Sequence, residues 1–493
     1  MSVRVRYAPS TTGLQHIGGI RTALFNYFYA RSQGGSFILR IEDTDRERTT
    51  EAAVQDLYDM LNWLGITWDE GPEKGGDYGP YVQSERSELY RSYTEKLVAA
   101  GKAYRCYCTA ERLNTLREEQ ERTRSKEKGY DRHCRDLGET ERSELEKSGK
   151  PFVIRLKVPL DGKTSFDDVL MGKITRKNRD VNPDPVLMKS DGFPTYHLAN
   201  VIDDHLMGIT HILRAQEWIP SGPLHVLLYE AFGWDPPKYC HLPMVMGKDG
   251  QKLSKRNGSK AVRDFMHDGY LPEAVMNYIT LLGWSYDDKT EFFTREELEN
   301  VFSLEKINKA PGVFDYKKLD WFNGMYIRMK SAAELSELIL PFLVRDGIIS
   351  NPPTDDQKKI IEDMIPLIHE RMKKLSDVSE MTRFLFQDIE TPNLEEVIPK
   401  KANAAKALEI LRLSKDLLSP LWGEGDGEED MEQLFRDTSE KIGVGLGALL
   451  MPIRAAVTGS RISPPLFESV KLLGREKTLE RINRTIQKLE QEV

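Results

Sequence analysis

Val5 to Gly19 reads Val-Arg-Tyr-Ala-Pro-Ser-Thr-Thr-Gly-Leu-Gln-His-Ile-Gly-Gly, with residue types suited to holding a phosphate. His16 offers a ring N–H to a phosphate oxygen. Gly13, Gly18 and Gly19 remove side chains where a ligand must approach the backbone. The order is neither G-x-G-x-x-G nor G-x-x-x-x-G-K-[ST], so nicotinamide-cofactor and Walker-type readings gain no support. A second stretch, Lys252-Leu253-Ser254-Lys255-Arg256, sets two lysines around a small hydroxyl residue in a basic loop beginning at Gly247. Lysine acts there as a flexible point charge for a triphosphate. Taken singly, the first stretch is also an ordinary Gly-rich turn after a strand, and the second an ordinary solvated basic loop.

Three further constellations carry chemistry. Carboxylates gather in Glu42-Asp43-Thr44-Asp45, although Thr44 or Asp45 would also serve as a helix cap. His211-Ile-Leu-Arg214 reads as a buried strand ending in an arginine, with Tyr196 and Asn200 as notable polar residues upstream. A buried arginine is costly unless paired. Arg214 therefore either pairs with an internal acid such as Glu42 or receives a ligand carboxylate in two-pronged fashion. Cys106-Tyr-Cys108 and Tyr130-Asp-Arg-His133-Cys134 would close a tetrahedral zinc site, with Tyr130 or His133 as fourth ligand. The same three thiols would equally pack, reduced, in a small core.

The elements that must position these groups follow from periodicity. Val3–Tyr7 reads as a strand, Gly19–Arg31 as the helix after it and Ser36–Glu42 as a second strand. That order is the ligand entrance of an open α/β sheet, where ligands sit at the carboxyl ends of strands. Thr50–Leu64 and Ser84–Ala100 read as helices. From Ala103 to about Leu198 a charged helix, Thr109–Lys128, and short strands such as Phe152–Lys157 read as an insertion. Charges of alternating sign make that helix a solvated one rather than an RNA patch. Beyond the lysine loop, Leu271–Leu282 is helical. From Ser331 onward nearly everything has helical period, as in Ala332–Leu343, Asp355–Leu375, Ala402–Leu418 and Ser463–Glu490.

At 493 residues the chain should hold several domains. Hydrophobic content of 39% and charged content of 30% fit a globular protein. No apolar run reaches membrane-spanning length, and Met1-Ser-Val-Arg4 passes straight into a strand without a leader, so the expected location is cytoplasmic. A net charge of −8 argues against a protein that coats nucleic acid, but permits one local basic surface. Four cysteines in so long a chain make no disulfide framework.

His16-Ile-Gly-Gly19 and Lys252-Leu-Ser-Lys-Arg256 together resemble the two signatures of class I aminoacyl-tRNA synthetases. Arg6-Tyr-Ala-Pro-Ser10, Leu39-Arg-Ile-Glu-Asp-Thr-Asp-Arg46, Tyr196-His-Leu-Ala-Asn-Val-Ile-Asp-Asp204, His211-Ile-Leu-Arg-Ala-Gln-Glu-Trp218 and Pro452-Ile-Arg-Ala-Ala-Val-Thr-Gly459 narrow the resemblance to bacterial-type glutamyl-tRNA synthetases. Thr11, Gln15, Gly19 and Gln216 depart from the residues usual in that family. The resemblance implies an α/β class I Rossmann-like catalytic domain (1–85 and 199–251) with an α+β insertion for the tRNA acceptor end (86–198). A stem-contact domain (252–330) and an all-α anticodon-binding region (331–493) would follow. It implies ATP-dependent ligation of L-glutamate to tRNA(Glu), with Mg²⁺ on the triphosphate. The alternative is a non-discriminating enzyme that also charges tRNA(Gln) with glutamate. By resemblance, Arg6, Ser10, Glu42, Tyr196, Asn200 and Arg214 bind glutamate. His16, Gly18, Gly19, Glu217, Leu253 and Lys255 bind ATP, and His16, Lys252 and Lys255 assist the chemistry. Some relatives hold zinc through Cys-x-Cys, a later Cys and a nearby His or Tyr; here the usual trailing His position is Asp136. A monomer is expected.

Overall fold

The computed structural model describes residues 2–44, 48–125, 128–253, 260–399, 402–422 and 427–492. It divides into two compact units, Met1–Phe265 with Val275–Asp315, and Met266–Ala274 with Tyr316–Val493.

In the first unit, β1 (Arg4–Tyr7) and β2 (Ser36–Leu39) pair in parallel, Arg4 opposite Ser36 and Tyr7 opposite Leu39. The Ile17–Ser32 helix connects them. Both strands are buried along their last three residues, as parallel strands covered on both faces must be. A three-stranded antiparallel sheet follows, made of β3 (Ala103–Cys106), β4 (Val153–Leu156) and, after two intervening strands, β7 (Val186–Met188). Those intervening strands, β5 (Lys163–Asp168) and β6 (Gly172–Lys177), form a hairpin that joins a different sheet. Its order is β6-β5-β9-β8, with β8 (His211–Ala215) and β9 (Lys238–Leu242) parallel across the Gly222–Phe232 helix. Asp168, the last residue of β5, pairs with Tyr239 of β9. A segment expected within the insertion thus delivers a carboxylate to the sheet that carries Arg214.

The two parallel pairs abut along β1 and β8, where the Thr210 N–H donates to the Arg4 carbonyl at 2.9 Å. The chain leaves β1 toward β2 on one side and leaves β8 toward β9 on the other. Their shared carboxyl end is therefore the switch point at which open α/β sheets take ligands. The helix after β2 runs Glu51–Trp63, and its cap is Thr50, whose hydroxyl accepts the Ala53 N–H at 3.2 Å. Thr44 does not cap it, and Asp45 lies outside the described residues. The charged helix covers Ala110–Arg122 and buries no residue, as its mixed charges require.

In the second unit the regular elements among the described residues are helices. Ser331 and Thr354 start two of them with reciprocal capping boxes to Glu334 and Gln357. The expected Ser463–Glu490 run is two helices, Leu466–Leu473 and Arg475–Glu490. Gly474 between them sits at φ +89° and ψ 160°, a backbone conformation essentially confined to glycine, and breaks the run. The Asp355 helix stops at Ile368, although Met372 and Leu375 stay buried and prolong the apolar pattern past its end. No helix among the described residues is long and apolar enough to cross a membrane.

Candidate active site

After β1 the chain breaks at Pro9, and the Glu42 N–H donates to the Pro9 carbonyl at 3.2 Å. This holds Ser10 beside Glu42 at the carboxyl ends of β1 and β2. His16 then caps the Ile17–Ser32 helix, its Nδ1 accepting the Gly19 N–H at 3.2 Å. With Nδ1 accepting, the neutral ring carries its proton on Nε2. A Cβ on Gly19 would stand 2.9 Å from the Tyr7 hydroxyl, and one on Gly18 3.2 Å from the His16 ring. Gln15 is explained locally, because its Oε1 accepts the buried Tyr7 hydroxyl at 2.8 Å. Thr11 is fully buried, and its carbonyl accepts the Thr50 N–H at 3.3 Å.

A cavity of about 1120 Å³ opens at this end of the sheet. Its lining includes Arg6, Ser10, His16, Gly18, Gly19, Glu42, Tyr196, Asn200, Arg214, Glu217, Lys252 and Leu253. Every expected glutamate- and ATP-binding residue that the structure describes therefore borders one space. Lys255, with Ser254 and Arg256, lies outside the described residues.

Behind the cavity runs a buried network of charge. Arg6 donates through Nε and Nη2 to Asp204 at 3.0 and 3.1 Å. Arg40 donates to Asp204 at 2.8 Å and to Glu42 at 3.0 Å. Asp203 accepts from Arg86 at 2.7 Å, Gln83 at 2.9 Å and Tyr90 at 2.8 Å. Burial pushes the Asp204 carboxyl up, but Arg6 and Arg40 outweigh it and hold it below the usual range. Burial raises Glu42 in spite of Arg40 and Arg6. Tyr196, Asn200, Asp203 and Asp204 share one helix, Tyr196–Leu206, at spacings that put them on one face. Asp203 and Asp204 carry no sequence-based assignment above, yet this spacing makes them legible.

Asn200 is 1% exposed, and neither its Oδ1 nor its Nδ2 has a hydrogen-bond partner. Such a buried amide is costly until something else supplies its bonds. Tyr196 packs against Trp218 with ring centroids 4.4 Å apart. Among the described residues no carboxylate pairs with Arg214. Glu42, the internal acid expected as one candidate, is held by Arg40. Arg214 instead bonds His241 at 3.0 Å, His225 at 3.3 Å and the Trp218 carbonyl at 3.4 Å.

The described part of the lysine loop, residues 245–253, is a hairpin. Gly247 N–H donates to the Gln251 carbonyl at 2.8 Å and Leu253 N–H to the Val245 carbonyl at 3.0 Å. Gly250 turns it at φ +73°. Lys252 returns toward the cavity and makes an ion pair with Glu217, just beyond β8. Lys189, Asp191 and Phe193 also line the cavity. Their turn, with Gly192 at φ +83°, is announced by the Ser-Asp-Gly sequence, but nothing local says that it faces a ligand.

Away from the cavity, Cys106, Cys108 and Cys134 bring their sulfurs within 4.8 Å of one another. The Tyr130 hydroxyl lies 3.2 Å from the Cys106 sulfur and 3.7 Å from that of Cys108. The hydrogen bond from Cys134, with help from Tyr130 and against burial, brings the Cys106 thiol down to about 4. Three sulfurs and one oxygen converging in this way fit a tetrahedral metal. His133 is exposed and is not part of the group.

Residues 2–321 match the catalytic domain of "tRNA synthetases class I (E and Q)", and residues 334–486 an "Anticodon binding domain". The chain is 57% identical to a glutamate–tRNA ligase of Borreliella burgdorferi, over 98% of each chain. It is 50% identical to one of Treponema denticola, over 99% of each. A crystal structure of a glutamate tRNA ligase from Elizabethkingia meningosepticum, in complex with its amino acid, superposes with a TM-score of 0.87 at 35% identity, covering 99% of this chain and 100% of that one. With family models for both a class I catalytic domain and an anticodon-binding domain, and relatives this similar over nearly the full chain, the chain belongs to the glutamate–tRNA ligases, class I aminoacyl-tRNA synthetases.

Proposed function

We infer that the chain attaches L-glutamate to tRNA at the expense of ATP, and that both steps run in the cavity between β1 and β8. A glutamate carboxylate oxygen attacks the α-phosphorus, the bond to pyrophosphate breaks, and glutamyl-adenylate forms. A ribose hydroxyl at the tRNA 3′ end then attacks the activated carbonyl and releases AMP. Neither step needs a protein nucleophile; positioning and charge stabilisation suffice.

Glu42 takes the glutamate ammonium. Arg214 takes a carboxylate, with Arg6 adding the one guanidinium nitrogen, Nη1, that Asp204 leaves over. Ser10, Tyr196 and Asn200 complete that subsite. His16, through its Nε2 proton, and the Gly18–Gly19 backbone meet phosphate at the helix N-terminus. Glu217, Leu253 and Lys255 hold the nucleotide, and Lys252 tethers the loop to Glu217. The observation that carries this reading is the orphaned Asn200 amide inside a cavity edged by arginine and glutamate side chains. The thiol set is the one group of three or more metal-capable His, Cys, Asp or Glu side chains among the described residues. Mg²⁺ would arrive on the phosphates of ATP.

Zinc held by Cys106, Cys108 and Cys134, with Tyr130 as fourth ligand, would brace the acceptor-end region. The four-part division given above, a monomeric state, a cytoplasmic location and tRNA(Glu) as partner belong to the same proposal. Charging labelled glutamate onto purified tRNA(Glu) and, separately, tRNA(Gln) tests it. ATP-dependent label on tRNA(Glu) is expected. Label on neither tRNA would overturn the function, and label on tRNA(Gln) as well would overturn the single-tRNA assignment.

A further inference from the structure

Arg214 is 5% exposed and has no carboxylate partner among the described residues, yet its guanidinium is not loose. Its Nε donates to His241 Nε2 at 3.0 Å, and its Nη1 lies 3.3 Å from His225 Nδ1. Arginine can only donate, so both imidazole nitrogens must present lone pairs. That fixes two tautomers. His241 carries its proton on Nδ1 and gives it to Asp168 Oδ2 at 2.6 Å. Asp168 is itself bound by the backbone N–H groups of Leu170, Met171 and His241 at 2.9–3.0 Å. His225 carries its proton on Nε2, facing His197 Nδ1 at 2.9 Å. The outcome is one buried chain, Asp168–His241–Arg214–His225–His197, in which each of these contacts has a donor and an acceptor.

We propose that His241 and His225 are positioning residues for amino-acid selection: neutral acceptors locked in one tautomer, they aim the Arg214 guanidinium into the cavity without cancelling its charge. A carboxylate at either position would fix the arginine equally well, but would compete with the substrate for it. Behind the cavity Arg6, Arg40 and Arg86 face Asp203, Asp204 and Glu42. Arg21, also buried at the cavity, has no carboxylate partner among the described residues either, but its Nη1 is turned to the Pro243 carbonyl at 2.6 Å; Arg214 is the one aimed by two imidazoles, which suits a substrate whose side chain ends in a carboxylate rather than an amide. Burial and the Arg214 charge hold His225 well below its ordinary value and bring His197 down to about 4. Burial lowers His241 too, against the pull of Asp168. Arg6 and His241 face His225 as well and act in the same direction.

This inference rests on reading Arg214 as a glutamate ligand, so the test separates the two. Glutamate and ATP KM are measured in the tRNA-charging reaction of the full-length enzyme. His241→Leu and His225→Leu remove the acceptors and should raise glutamate KM roughly 10- to 100-fold, with ATP KM changing less than about 3-fold. His241→Gln sets an amide oxygen near Nε2, and His225→Asn sets one near Nδ1; each should recover most of the loss. Discrimination against glutamine should fall in the Leu variants and return in the amide variants. Amide variants no better than the Leu variants, or equal losses in glutamate and ATP KM, would overturn the inference. If the Leu variants do not fold, His225→Asp decides instead: a carboxylate there competes for Arg214 and should raise glutamate KM with ATP KM held, and an unchanged glutamate KM would overturn the inference. Arg214→Lys is the control. A large glutamate KM effect there, with none in the Leu variants, sinks the cradle alone; no effect at Arg214 sinks the underlying reading.

Discussion

Replacing Asn200 by leucine should improve stability and damage function together. The side chains have similar volume, so the change deletes two buried polar atoms with little repacking. Both atoms lack partners in the free protein. Leaving such groups unmet costs about 1–3 kcal/mol, which the variant recovers. In a domain of 150–250 residues each kcal/mol moves the midpoint by roughly 2–4 °C, and by less in a unit as large as the first one here. Thermal unfolding without ligands should therefore show a rise of a few degrees. Glutamate loses its bonds to the amide, and hydrogen bonds to a charged ligand are worth roughly 1.5–3 kcal/mol each. One lost bond predicts a fall in kcat/KM for glutamate of about 10- to 150-fold, mostly in KM, with ATP KM held. A variant that unfolds earlier yet keeps its glutamate KM would refute the reasoning, because the amide would then be a structural group.

Four further outcomes follow from other parts of the structure. Lys255→Ala should slow single-turnover adenylation about 10²- to 10³-fold and nearly spare transfer from preformed glutamyl-adenylate; equal loss in both steps would remove Lys255 from the phosphates. Lys252→Ala breaks a half-exposed ion pair with Glu217, so unfolding should shift by no more than about 1 kcal/mol while ATP KM rises severalfold; a large loss of stability would make the pair structural. Protein purified without added zinc should contain close to one zinc per chain, Cys108→Ser should lower that content, and Tyr130→Phe should speed metal loss to a chelator; a content near zero leaves a thiol core. His197 and His225 are neutral in the fold while free imidazoles titrate near 6.5. The unfolded chain therefore takes up more protons as pH falls from about 6.5 toward 4, and stability drops through that window by up to roughly 1.4 kcal/mol per pH unit per histidine. Urea midpoints that rise on acidification would contradict this.

The entrance to the site was legible because its signals are local. A strand, a proline break, glycines at fixed offsets and a helix start, read at Gly19 and observed at Ile17, lie close together, and propensity and turn chemistry act over that range. The helical second unit was legible from its period, but its breaks were less so, since Met372 and Leu375 extend the apolar pattern beyond a helix that has already ended. Partnerships were not legible. Arg6 and Asp204 are 198 residues apart, and only strand order brings them together. Either pairing offered for Arg214 required a carboxylate, whereas the fold supplies imidazoles. That arrangement depends on β5 leaving the inserted segment to pair with β9, a choice that no residue of β5 declares. At the thiol cluster the backbone path after Tyr130 decides that the phenol and not His133 meets the sulfurs.

The central claim is that one cavity activates glutamate with ATP and delivers it to tRNA. Incubating the full-length enzyme with labelled glutamate, ATP and total tRNA, and then separating free, adenylate-bound and tRNA-bound label, tests it most directly. Alkali-labile label on tRNA that requires ATP and is lost in Arg214→Lys is the expected result. Label that stops at the adenylate, or tRNA that stays uncharged with every component present, would contradict it.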